Sequence, residues 1–144
     1  MKESISYLPN NNLMKKNLLL ILLILTTTFL SCQTQYEIVD KEHWITDDNF
    51  ESKIKSKSLV VVEFWVKFND VNCFKDWDKL EGITYHRADI TKSSKSKRKY
   101  NVKMAPTLII FVDGVKTKVF KAGLDLVLGA ELREIQDSIN ELRK

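Results

Sequence analysis

The sequence predicts one small α/β domain, and three observations carry that prediction. Leu59 to Val66 (LVVVEFWV) is a near-continuous β-branched and aromatic run, as expected of a central strand buried on both faces. Strand-like and helix-like segments alternate in the order β-α-β-α-β-turn-β-α, with Asp113-Gly114 forming a sharp hairpin between the last two strands. The final segment places Leu128, Leu132, Ile135, Ile139 and Leu142 at spacings of 4, 3, 4 and 3, one apolar stripe of a helix turned toward a core.

Taken in order, Gln33 to Glu42 reads as a short tether and lead-in strand. Asp47 or Asp48 is placed to cap a helix whose apolar face includes Phe50 and Ile54. The Lys/Ser-rich stretch 53–58 ends that helix, and the long strand follows. Lys67 to Asp78 (KFNDVNCFKDWD) carries turn residues at Asn69, Asp70 and Asn72, then a short helix-compatible segment that Gly82 stops. Ile83 to Ile90 (ITYHRADI) alternates loosely as a second strand. Lys92 to Lys99 (KSSKSKRK) is a basic, solvated run that starts a helix, with Tyr100 and Val102 pointing inward. Thr107 to Val112 (TLIIFV) is the third strand, and Val115 to Phe120 pairs back on it. Neither a repeat nor a second domain is visible.

Composition agrees with a packed protein: 144 residues are 44% hydrophobic and 29% charged, with only four Gly and two Pro. The formal net charge of +4 falls to about +2 once residues 1–31 are removed, leaving 20 basic against 18 acidic residues. That is no nucleic-acid footprint, and nucleic-acid partners are set aside.

The N-terminus has its own logic. Leu18 to Leu25 (LLLILLIL) follows Lys15-Lys16 and is too short to span a bilayer, which takes about 20 apolar residues. A basic end, a short aliphatic run and a small residue before a cut form the plan of a secretory signal peptide. Residues 1–13 are polar, whereas translation from Met14 gives a compact signal, MKKNLLLILLIL; Met14 is therefore the expected start.

The junction Phe29-Leu30-Ser31-Cys32 resembles the lipobox of bacterial lipoproteins, departing from it at Phe29, where Leu is commoner. The resemblance implies a signal peptide over 1–31 and diacylglycerol on Cys32. It further implies a lipid-bearing tether over 32–44 that leads into a domain over 45–144. With Gln33 after the cysteine, the same resemblance implies the periplasmic face of the outer membrane. Acyl chains, at roughly 0.8 kcal/mol per buried CH₂, hold a protein durably on a bilayer. From Cys32 to Lys144 the chain has 113 residues, and Cys73 is then its only unmodified thiol, so no disulfide can form within one molecule.

Three strings together resemble the thioredoxin family across Ile45–Arg143. VVVEFWVKF (60–68) is similar to the family strand that runs into its redox loop. Met104-Ala105-Pro106-Thr107 is like the family's cis-proline loop, and Val119-Phe120-Lys121-Ala122-Gly123 is like the segment between its last strand and last helix. The resemblance implies a central mixed β-sheet flanked by helices and a cis bond at Ala105-Pro106. Family chemistry rests on a Trp-Cys-x-x-Cys pair, one thiolate attacking and a second resolving. Here the corresponding stretch is Phe68-Asn69-Asp70-Val71-Asn72-Cys73. Without a gap Asn69 takes the nucleophile position; with one inserted residue Asp70 takes it and Cys73 aligns with the resolver. In either alignment the nucleophile is missing, which leans against an enzyme.

Several residues keep two readings. Glu63 matches the family's buried acid, or is a carboxylate kept by its partners. Arg87 pairs with Glu63 or reaches solvent, and Trp44, Trp65 and Trp77 are core or rim. The basic run 92–99 is a solvated helix face or meets anionic lipid or glycan. His43 and His86 sit in unrelated contexts, so neither a metal site nor a cofactor is expected. Cys73 is expected near the N-terminal end of a helix, sluggish, and shielded by Phe68, Phe74 and the Pro106 loop.

The functional expectation is a membrane-anchored protein-binding or chaperone-like module. Phe68, Asn69, Asp70, Cys73, Ala105 and Pro106 would form a groove for envelope proteins or extended polypeptide. The alternatives are a monothiol redox protein using Cys73 and a structural subunit of an envelope complex.

Overall fold

Strand β2 (Leu59–Trp65), the apolar run of the sequence, has all seven residues buried and lies at the centre of a five-stranded sheet. The computed structural model describes residues 41–144, within one compact unit, Ile38–Lys144. The signal segment, Met14, Cys32 and the tether up to residue 40 lie outside the described residues.

The sheet also contains β1 (Trp44–Ile45), β3 (Thr84–Asp89), β4 (Thr107–Val112) and β5 (Val115–Lys121), in the order β1-β3-β2-β4-β5. β1 and β3 run parallel with β2, whereas β4 and β5 are antiparallel additions, so the sheet is mixed, as expected. Trp44 is already paired with Arg87, so the sheet begins one residue before the expected domain start. The β4–β5 hairpin turns through Asp113 (φ 49°) and Gly114 (φ 79°). Two successive positive φ values define the turn whose twist matches paired strands.

Alternation along the strands sends side chains to two cores. On one face, Val60, Val62, Phe64, Ile109 and Phe111 pack under α1 (Phe50–Ile54) and the Tyr100–Val102 end of α2 (Ser94–Lys99). On the other, Val61, Tyr85, Leu108 and Ile110 pack under Ile135 and Ile139 of α3 (Leu132–Leu142) and under Phe74 and Leu80. Each such buried aliphatic or aromatic side chain contributes roughly 1.5–3 kcal/mol.

Three local expectations are corrected. Neither Asp47 nor Asp48 caps α1; Asn49 occupies that position without a side-chain cap bond. Asp47 instead accepts from the Lys95 and Ser96 amides at 2.9 and 2.8 Å and from Ser96 Oγ, stitching α2 to the loop before α1. Leu128 does not open the last helix, which starts at Leu132; it bridges back to Ala122. The helix expected before Gly82 is replaced by two 3₁₀ turns, Lys67–Asn72 and Trp77–Lys79. Its polar side chains are drawn to partners elsewhere in the fold, and an α-helix there would break those bonds.

Candidate functional site

Because β2, β3 and β5 point the same way and β4 the opposite way, three loops meet at one end of the sheet. They are the turn 66–73 after β2, the loop 100–106 before β4, and the loop 122–131 after β5. Asn69 is the residue that ties them. Its backbone is non-helical (φ −115°, ψ 26°) inside the 3₁₀ turn, and its side chain is buried. Asn69 Nδ2 donates to the Ala105 carbonyl at 3.0 Å and to the Leu126 carbonyl at 2.8 Å. Asn72 Nδ2 in turn donates to Asn69 Oδ1 at 2.8 Å. Trp65 Nε1 donates to Asp70 Oδ1 at 2.7 Å, so Asp70 is held against the strand end. The Ala105-Pro106 bond is cis, and the Pro106 carbonyl accepts from the Ala122 amide at 3.0 Å.

Beneath this end lies a buried ion pair. Glu63 and Arg87, with 0% and 3% of their side chains exposed, are joined through Arg87 Nη2 and Glu63 Oε2 at 2.7 Å. Arg87 Nε donates to the same oxygen at 2.9 Å, and the Tyr85 hydroxyl also donates to it. Glu63 Oε1 accepts from the Phe74 amide at 2.8 Å. The guanidinium lies 5.8 and 5.9 Å from the ring centroids of Trp44 and Trp65. A buried charge is tolerable only when its partners fill its hydrogen-bonding capacity, and the neighbours of Glu63 do so. Burial alone pulls against the charged guanidinium, but Glu63 and then Tyr85 more than offset it, and Arg87 is held above its ordinary range. Burial, then the Glu63 charge, pushes the Tyr85 phenol well up. Of the two readings of Arg87, pairing with Glu63 is the one found.

Cys73 follows directly. The expected helix N-terminus is absent: Cys73 ends the 3₁₀ turn in extended geometry (φ −63°, ψ 157°), because Glu63 draws the next amide inward. No helix dipole assists its thiolate. Burial and the Glu63 charge push the thiol up; Arg87 opposes them, and Asp70 adds to them. Its side of the loop lines an open groove of about 660 Å³ with Val71, Phe74, Val127, Leu128 and Leu132. Phe74 is buried beside it as expected, but Phe68 is 79% exposed and shields nothing.

The fold therefore brings Asn69, Asp70, Cys73, Ala105 and Pro106 to one end, with Phe68 on its rim. Ala105 was expected to line the groove, and its carbonyl accepts from Asn69. Sequence reasoning missed Tyr85, Leu126 and the exposed residues Val71, Leu124 and Val127. Tyr85 was traceable, lying two residues before Arg87 on the same strand face. Leu126, a residue at φ 60° contributing a carbonyl, left no signal. Among the described residues, no group of three or more His, Cys, Asp or Glu is placed to hold a metal ion.

The sequence model of the family described as Thioredoxin matches residues 41–134. A comparison with curated proteins gives no match. Among solved structures, a mutant thioredoxin from Halobacterium salinarum NRC-1 is 14% identical with a TM-score of 0.56, over 70% of this chain and 89% of that one. A designed protein is 15% identical with a TM-score of 0.54, over 72% and 94% respectively. At these identities the likeness concerns the fold.

Proposed function

The chain belongs to the thioredoxin family, and from that premise we propose a lipid-anchored envelope protein that binds other polypeptides without a dithiol active site. Asn69 carries the reading. In the ungapped alignment it stands where the family's attacking cysteine would be, and it is a buried amide bonded to two loops. An amide cannot attack a disulfide, and the remaining thiol, Cys73, is buried and pushed toward its protonated form. Signal peptide 1–31, lipid on Cys32 and a place on the periplasmic face of the outer membrane belong to the same reading, supported by the Ser31-Cys32 junction and Gln33.

Support for binding comes from the same end of the sheet. Val71 and Val127 line the groove beside Cys73, and Phe68 and Leu124, 79% and 98% exposed, stand on the same two loops. Exposed apolar residues gathered in this way mark interaction surfaces. Docking on this reading runs through these exposed side chains. A photo-crosslinker at Phe68 or Leu124 in intact cells should give discrete protein adducts that survive Cys73→Ala. The same probe at Val115, at the opposite end of the sheet, should give none. Adducts that vanish with Cys73→Ala would move the monothiol reading to first place.

A further inference from the structure

The two faces of the sheet differ in charge, one carrying a concentrated basic surface and the other a mixed one. From Ile90 to Val112 there is no acidic residue, while Lys92, Lys95, Lys97, Arg98, Lys99 and Lys103 fall on or beside α2. The end of α1 and the turn after it add Lys53, Lys55 and Lys57 to the same layer. Nearby carboxylates are already committed: Asp47 accepts from the Lys95 and Ser96 amides of α2, Glu51 pairs with Lys99 at 2.6 Å and accepts from the Tyr100 hydroxyl, and Asp89 lies 4.0 Å from Lys92. Among the described residues, Lys95, Lys97 and Arg98 form no ion pair within 4.0 Å. The α3 face instead mixes the signs, exposing Glu131, Glu134, Asp137 and Glu141 beside Arg133, Arg143 and Lys144.

We propose that the α1–α2 face docks on the anionic headgroups of a phospholipid membrane, the one that carries the anchor at Cys32. The occupant follows from the chain outside the described residues, and to that extent the inference rests on the lipid-anchor reading. Eight residues, 33–40, separate Cys32 from Lys41, and extended they span at most about 26–29 Å. A domain so tethered samples the bilayer surface continuously, at high effective concentration. Charges act there only on near contact, because the screening length is about 8 Å at physiological salt.

The surface also suits a fluid layer better than a folded partner. None of the large exposed apolar residues, Phe68, Val71, Val115, Leu124 and Val127, lies on α1 or α2. With no apolar anchor to fill a partner's pocket, its attraction comes from charge, which a headgroup layer matches without shape complementarity. Seated so, the domain turns its α3 face outward and leaves the Asn69–Pro106 end free at the side.

The test is sedimentation of the full chain with vesicles of phosphatidylcholine alone and with a third of phosphatidylglycerol. The apolar segment 18–25, the basic residues Lys2, Lys15 and Lys16 before it and any acyl chain are common to every variant, so the change in anionic preference between native chain and variants reads the charged face. The anionic vesicles should bind about tenfold tighter or better, and half-molar salt should erase the difference. Lys95→Glu with Lys97→Glu and Arg98→Glu should abolish it. The neutral set Lys95→Gln, Lys97→Gln and Arg98→Gln, checked for native circular dichroism, should reduce it several-fold. Arg133→Glu with Arg143→Glu and Lys144→Glu, the same charge change on the α3 side, should leave it intact. No anionic preference in the native chain, or a preference that survives the α2 variants, overturns the proposal. So does retention on soluble polyglutamate without vesicle preference, which would assign the face to an acidic polymer. Failure of the anchor reading shows separately, as absence of fatty-acid label on the chain in cells.

Discussion

Asn69 donates to the carbonyl of Ala105, the residue before the cis-proline, so the two segments that would flank an incoming polypeptide are bonded to each other. A second bond from the same amide to Leu126 closes the third loop onto them. Buried carbonyls left without a donor cost about 1–3 kcal/mol. Asn69→Ala should therefore lower unfolding stability by roughly that amount, read as a shift of the urea midpoint with unchanged slope. A loss below a few tenths would mean that the clamp is incidental.

The Glu63–Arg87 pair predicts strong non-additivity. Removing either partner alone strands the other in the core, and Arg87→Met or Glu63→Leu should each cost about 3–5 kcal/mol. The double substitution removes both buried charges and should recover a large part of that loss, because no ion is left unpaired. Two independent, additive losses in denaturant melts would contradict the coupling drawn from their 2.7 Å contact.

Cys73 should behave as a slow thiol. Burial and Glu63 favour its protonated form, and only the thiolate attacks disulfides. Reaction with an aromatic disulfide reagent should run slower than free cysteine at neutral pH, and its half-rise should fall at higher pH than the free thiol's. The purified chain should not accelerate insulin reduction by dithiothreitol, and Cys73→Ala should leave the fold intact. Faster-than-free reaction moves the monothiol reading to first place.

His86 sets a pH window. Its Nδ1 lies 3.2 Å from the His43 carbonyl, the geometry of a neutral ring donating there, while Nε2 is buried without a partner. Burial holds its pKa below the usual value. The unfolded chain therefore takes up the proton first as pH falls. Stability should decline from about pH 6.5 down to the lower folded value and add no further loss below it. His86→Gln should flatten that part of the profile. The loss tied to Asp47 and Glu51, whose carboxyls are held below their ordinary range, belongs to more acidic pH and should remain.

Lipidation is checked directly. A clickable fatty-acid analogue fed to cells should label the native chain and not Cys32→Ser. Equal labelling of both would remove the anchor from the account.

The sequence by itself determined the four longer strands and their order along the chain, though not β1, which lies at Trp44–Ile45 after a 3₁₀ turn over Lys41–His43. A β-branched run as dense as 59–65 has few uses other than a buried strand, and Asp113-Gly114 supplies two left-handed positions that few dipeptides adopt cheaply. The cis bond was legible too, through the resemblance of Met104-Ala105-Pro106-Thr107 to a family loop. Tertiary structure decided the partners. Whether Asp47 caps its own helix or one 48 residues away, and whether Arg87 meets Glu63 or water, depends on which strands become neighbours. The turn 67–72 shows the reason most plainly. Its residues have local helical options, but Asn69 gains bonds to carbonyls 36 and 57 positions away, and Glu63 draws in the Phe74 amide. Periodicity and propensity record what a segment prefers locally; a buried polar group goes where the assembled fold offers it a partner.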